Sequence, residues 1–175
     1  MRHGGYVSPV HTSITDTFNG LPLHPLVVHA AVVLTPLAAL VALALVRPSW
    51  RERLRWPAVG AVAVAWGLVW LARASGKNLQ TVNAEYFSAN RAARESLALH
   101  MGYANRLNHV LFTLLVVLVV FAWLLPKLAR PAGTVGAVVI AVLALMVIGL
   151  VAQTGEQGSR TLWNPDGKRS YSVDQ

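Results

Sequence analysis

Not one of the 175 residues is cysteine. A disulfide framework, a thiolate metal site and a cysteine-held iron–sulfur cluster are therefore excluded. Charge is scarce as well: Asp, Glu, Lys and Arg make up 13% of the chain, against about 25% in an ordinary soluble domain. The seven acidic residues all lie outside the long apolar runs, which disfavours a proton or cation pump, since such proteins carry carboxylates inside the membrane. No phosphate-binding loop, Gly-x-Ser-x-Gly elbow or His-Glu-x-x-His pair is present, so a hydrolase has no nucleophile to name. The formal net charge of +8 does not read as a nucleic-acid surface, because the basic residues form no face around a soluble core.

What the chain has in quantity is apolar sequence, 55% of all residues. Four runs approach the roughly 20 residues that a helix needs to cross a bilayer: Leu26–Val46, a shorter one over Pro57–Ala74, Leu107–Leu125 and Thr134–Ala152. They do not alternate, and only helices or closed barrels satisfy their backbone in lipid, so all four are expected to be helical. The expected fold is all-α, a polytopic membrane protein of four transmembrane helices. Residues 21–163 form the membrane domain, 1–20 a polar tail and 164–175 a flexible tail.

Basic residues set the expected orientation. Arg47, Arg51, Arg53 and Arg55 crowd one short turn, and Lys127 and Arg130 the other. The positive-inside bias places both turns in the cytoplasm, and both termini and the loop Arg73–Arg106 outside the inner (cytoplasmic) membrane. A signal peptide would carry its charges ahead of the first apolar run, whereas here they follow it. Pro25 suits a first helical turn, Pro48, Pro57, Pro126 and Pro131 bracket the turns, and Pro36 is expected to kink the first helix. Trp50 and Trp56 suit the inner interface, and packing is the expected role of Trp66 and Trp70, one turn apart on one face. The tail Gln153–Trp163 is a candidate to fold over the mouth of the bundle.

The chain also reads as two copies of one hairpin. His29 and His109, 80 residues apart, each open an apolar run that leads to a proline. Ser75-Gly76 and Thr154-Gly155, 79 residues apart, each close a second helix. Two copies in the same orientation are expected to pack about an axis along the membrane normal.

The remaining chemistry lies in six histidines. His3 and His11 sit in a polar tail and are expected to be solvated. His29 and His109 begin their helices at matched depth, so they are expected to face each other across the core, where they could ligate haem b from its two faces. Capping or interfacial bonding is the alternative role. His24 and His100 are secondary candidates, for a second haem or a copper or zinc site. His24 precedes Pro25 and is expected to be extended. His100 lies nine residues before His109, which on a continuous helix puts the two on opposite faces. Within the outer loop, Arg91-Ala-Ala-Arg-Glu95-Ser is expected to form an amphipathic helix leading into the third span, and Arg91, Arg94 and Lys77 are candidate partners for haem propionates.

The segment Leu21-Pro-Leu-His-Pro-Leu-Val-Val-His29 resembles the opening of a bacterial membrane-protein family catalogued as domain of unknown function 2231. That family has a His-Pro turn, a second histidine at this spacing and four spans. The resemblance covers roughly residues 21–163. His24, Pro25 and His29 match directly, and His100 is similar to a family histidine ahead of the third span. The chain departs from the pattern at Thr154-Gly-Glu-Gln-Gly158, where family members often carry a Gly-His-x-Gly-type segment. Some relatives are joined to a Rieske-type iron–sulfur domain, so the resemblance implies redox work. The leading expectation is a haem-binding or redox-associated subunit with a redox protein partner, embedded in the lipid bilayer and able to form a homo-oligomer. A non-catalytic scaffold and an outer-face copper or zinc protein are the alternatives.

Overall fold

The computed structural model describes residues 17–18 and 21–166. The expectations for His3, His11 and the outer parts of both tails lie outside these residues. A two-residue antiparallel pair, β1 (Thr17–Phe18) with β2 (Leu21–Pro22), leads into the first helix. The helices are α1 (Leu23–Leu43), α2 (Pro48–Val82), α3 (Ala84–Ala89), α4 (Arg91–Leu124) and α5 (Arg130–Trp163). Short 3₁₀ turns over Ala44–Val46 and Leu125–Lys127 complete the two hairpins. The four long helices are each apolar enough over a sufficient length to cross a membrane. The fold is the expected all-α membrane bundle.

Three boundaries differ from the expectation. Pro57 does not start the second helix; Pro48 does, in the first turn, and Pro57 lies inside. The second helix does not end near Ala74 but continues to Val82, whereas α4 begins at Arg91, where the expected amphipathic stretch leads into the third span. The segment Gln153–Trp163 does not fold back but continues α5 as helix. The cause is the same at each place: these flanks are rich in residues that tolerate a helix, such as Ala, Arg, Glu, Gln and Leu, and they carry no interior proline to stop it after Pro57. Asn90 supplies the new start of α4, its side chain accepting from the Ala93 N–H at 3.1 Å.

α1 packs on α2 and α5, and α4 packs on the same two helices, so α1 and α4 occupy one diagonal of the bundle. Their buried faces carry the same register. Ala31, Thr35, Ala38 and Ala42 of α1 and Leu107, Leu111, Leu114 and Leu118 of α4 are all buried and stand 76 residues apart, position for position. On the other diagonal, Ala58, Val62, Ala65 and Val69 of α2 match Ile140, Ala144, Val147 and Val151 of α5 at an offset of 82. The duplication is therefore real, and of the six-residue difference five are absorbed where α4 runs on to Leu124 instead of stopping at Val119, the equivalent of Leu43, and one in the longer turn before α5. His29 and His109 are not equivalents in this register: His29 corresponds to Asn105, and the equivalent of Gly76 is Gly158, not Gly155.

The two ends of the bundle differ in charge. At the end formed by the two short turns, Arg51 is 8% exposed. It donates from Nε to the Leu45 carbonyl at 3.0 Å and from Nη2 to the Val46 carbonyl at 3.2 Å. Arg55 donates to the Ala122 carbonyl at 3.1 Å. Both guanidinium groups thus satisfy carbonyls that a helix end leaves without an intrahelical partner. Arg55 and Arg73 on α2 are 18 residues apart, or about 27 Å along a helix, close to the roughly 30 Å of bilayer hydrocarbon. Trp56 and Trp70, beside these two arginines, are exposed and suit the two interfaces. Trp66, by contrast, is packed, its ring 5.5 Å from that of Phe112. Beyond Arg73, α2 runs on to Val82 and, with α3 and the start of α4, forms the opposite end of the bundle. This is the histidine end.

Candidate functional site

Seven residues along a helix return to within about 20° of the starting direction. His24 lies seven residues before Ala31 and His100 seven before Leu107, so both histidines share the core-facing stripe of their helices, one step above the buried cluster. His24 belongs to α1, not to an extended segment before it; proline is tolerated in the first turn, where its missing N–H would have no partner. Both histidines are half-buried.

Their surroundings repeat in detail. His24 Nδ1 donates to the Ala72 carbonyl at 2.9 Å and lies 3.3 Å from Ser75 Oγ. His100 Nδ1 donates to the Thr154 carbonyl at 3.0 Å. Each ring lies flush against a glycine four residues further along the same partner helix. A Cβ on Gly76 would stand 3.0 Å from His24 Cε1, and a Cβ on Gly158 3.0 Å from His100 Cε1. The Ser75 hydroxyl is itself anchored on the Leu71 and Ala72 carbonyls, and Thr154 Oγ1 on the Leu150 carbonyl. A carbonyl can only accept, so in both neutral imidazoles the proton sits on Nδ1 and the lone pair on Nε2. Ligating histidines are typically held this way, with one ring nitrogen bonded to a backbone carbonyl and the other left to coordinate.

The structure does not bring His29 and His109 together. Both are exposed on the outer flanks of α1 and α4. His29 Nδ1 bonds to the Pro25 carbonyl of its own first turn, and the His109 carbonyl accepts from Thr113 Oγ1 at 2.9 Å. Five residues separate His29 from His24, and nine separate His109 from His100, so each is rotated to the far side of a helix whose core face is already fixed. The 76-residue register places His109 four residues beyond the equivalent of His29, so the two differ in height along their helices as well as in direction. The signal that would have found the inner pair is the seven-residue step to Ala31 and Leu107, combined with the 82-residue spacing of Gly76 and Gly158.

Two imidazoles without a third ligand define the available chemistry. Among the described residues no group of three or more His, Asp or Glu side chains gathers around a point. The pair alone falls short of the four protein or water ligands of tetrahedral zinc. Two is the number of imidazoles that an iron porphyrin can take as axial ligands, its other four ligands coming from the ring. Val27, Ala31, Leu107 and Leu111 close the bundle beneath the pair and give it an apolar floor. Of the cations expected to face propionates, Arg91 is engaged with Glu95 at 2.8 Å. Lys77 and Arg94 line grooves at the same end.

The site also contains a polar clasp that the sequence did not announce. Arg73 of α2 donates from Nε and Nη2 to the single Oδ1 of Asn105 on α4, at 3.0 and 2.5 Å. A second tie, Ser96 to Thr161 at 3.0 Å, joins α4 to α5 beyond the histidines. No protein-family model matches the chain, and no curated protein or solved structure matches it significantly.

Proposed function

We propose that the chain is a haem-binding, redox-associated membrane subunit in which His24 and His100, rather than His29 and His109, are the axial ligands. The observation that carries this reading is the repeated holding of the two inner imidazoles, each fixed through Nδ1 and each seated on a glycine, with Nε2 left to bind. A bound iron porphyrin would supply a one-electron centre at the histidine end, within reach of a redox protein outside the hydrocarbon. The protein's own contribution is to fix both tautomers and ring planes before the group arrives. The basic turns favour an inner (cytoplasmic) membrane location with both termini and this site outside. The opening His-Pro-x-x-x-His resemblance is consistent with that arrangement.

The test is the visible spectrum of the full chain, purified after expression with added haem precursor. The expected result is a Soret band with low-spin bis-imidazole features that H24A and H100A each abolish and that H29A and H109A leave intact. Absence of the band overturns the reading, as does its dependence on His29 and His109. Copper at one equivalent per chain, lost in H24A, would transfer the site to a two-imidazole copper centre, since imidazole also suits that metal. A chain that binds neither would be a scaffold whose histidines only lock its helix ends.

A further inference from the structure

A second site lies on the flank of the bundle, outside the histidine pair. Trp70, Arg73, Ala74, Lys77 and Asn78 line a groove of about 290 Å³ on α2, along its seam with α4. Positions 70, 73, 74 and 77 recur at the three- and four-residue spacing that places side chains on one helical face. No carboxylate lines the groove. Arg73 is held by an amide oxygen, Asn105 Oδ1, which orients the guanidinium without neutralising it. Lys77, one turn further out, is exposed.

Depth identifies what meets this charge. Arg73 stands about 27 Å from Arg55 along α2, so it lies at the hydrocarbon boundary, with Lys77 about 6 Å beyond it, at headgroup level. Trp70 is 54% exposed just inside the boundary, where an indole is favoured. Below the groove, past Asn108 and the exposed His109 of α4, the α2–α4 seam turns apolar, with Phe112 and Val116 of α4 exposed. Two cations above, an indole at the boundary and an apolar strip beneath follow the outline of one molecule, a phosphodiester headgroup with its acyl chains.

We infer that this groove binds the phosphate of an anionic phospholipid in the leaflet at the histidine end, with Arg73 and Lys77 as its ligands and its chains lying along Phe112 and Val116. Asn105 is a positioning residue that keeps Arg73 aimed along the seam. The proposal is independent of haem.

The test is native mass spectrometry of the full chain in detergent, titrated with phosphatidylglycerol, phosphatidylcholine or inorganic phosphate. Phosphatidylglycerol is expected to remain bound after activation and to be retained more strongly than phosphatidylcholine. Each cation removed, in K77Q or R73Q, should weaken binding by about fivefold. R73K should preserve most of it, and K127Q, at the opposite end, should leave it unchanged. N105A should weaken retention with the charge intact, which a purely electrostatic surface would not show. The inference is overturned if R73Q/K77Q retains lipid as the native chain does, if K127Q weakens retention equally, or if inorganic phosphate displaces the lipid at matched concentration. That last result would make the site one for a free anion.

Discussion

The tightest geometric statement in the bundle is the contact between each inner histidine and its glycine, and it can be measured against an internal reference. Gly67 and Gly76 both lie in α2, and a Cβ at Gly67 meets nothing within 4 Å. G67A should therefore collect the helix-propensity gain alone, about 1 kcal/mol. G76A collects the same gain, but its Cβ would stand 3.0 Å from His24 Cε1 and 3.2 Å from Nδ1, so the ring must withdraw by a few tenths of an ångström. Withdrawal stretches the 2.9 Å bond to Ala72; a weakened hydrogen bond costs about 0.5–1.5 kcal/mol and crowding about 1–3. G76A should be less stable than G67A by about 2 kcal/mol. The second hairpin supplies the replicate: G158A, with the same 3.0 and 3.2 Å approaches to His100, should fall below G149A, which is open, by a similar amount. Stability is read from reversible unfolding in mixed micelles. In H24A/G76A the penalty should vanish, giving a coupling energy of at least about 1 kcal/mol in the double-mutant cycle. Equal stability of G76A and G67A, or a penalty that survives removal of His24, would refute the contact.

Three further outcomes follow from single residues. Thr35 is fully buried in α1 and its hydroxyl has no partner, so T35V should be neutral or stabilise by up to about 1 kcal/mol in thermal unfolding; a loss would mean that the hydroxyl is bonded after all. R51M keeps the volume of a buried side chain but strips the Leu45 and Val46 carbonyls of their donor, and should lower stability by about 2 kcal/mol, with R51K recovering only part because one ammonium cannot reproduce the fork. In G136A the new Cβ would sit 2.7 Å from Phe121 Cδ2; the ring is buried, so a loss of about 1–3 kcal/mol is expected, relieved in G136A/F121L.

The membrane class, the four helices and the duplication were legible in the sequence because hydropathy over some 20 residues is a strong, local signal. Direction around a helix was not. Choosing His29 over His24 required knowing which stripe faces the axis, and in runs such as Val27–Val46 every face is apolar, so no amphipathic pattern marks the core. The packing stripe is written instead in residue size, with Ala31, Thr35, Ala38 and Ala42 on the inside and Val33, Leu37 and Leu40 toward lipid, as expected where close helix approach replaces the hydrophobic effect. The run of α2 on to Val82 was hidden for a different reason. Ser75, Lys77, Asn78 and Gln80 end the apolar run, yet none of them stops a helix. The clasp of Arg73 on Asn105 depends on the interhelical register and has no signature in either segment alone.

The duplicated register carries unequal side chains: small ones along α1 where α4 presents four leucines. A dimer made of two first hairpins would meet alanine with alanine and leave a hollow centre, while two second hairpins would force leucine against leucine. Each half is thus cut to accept the other and to refuse itself. One half expressed alone should therefore wait, unpaired in the bilayer, until the opposite half is supplied.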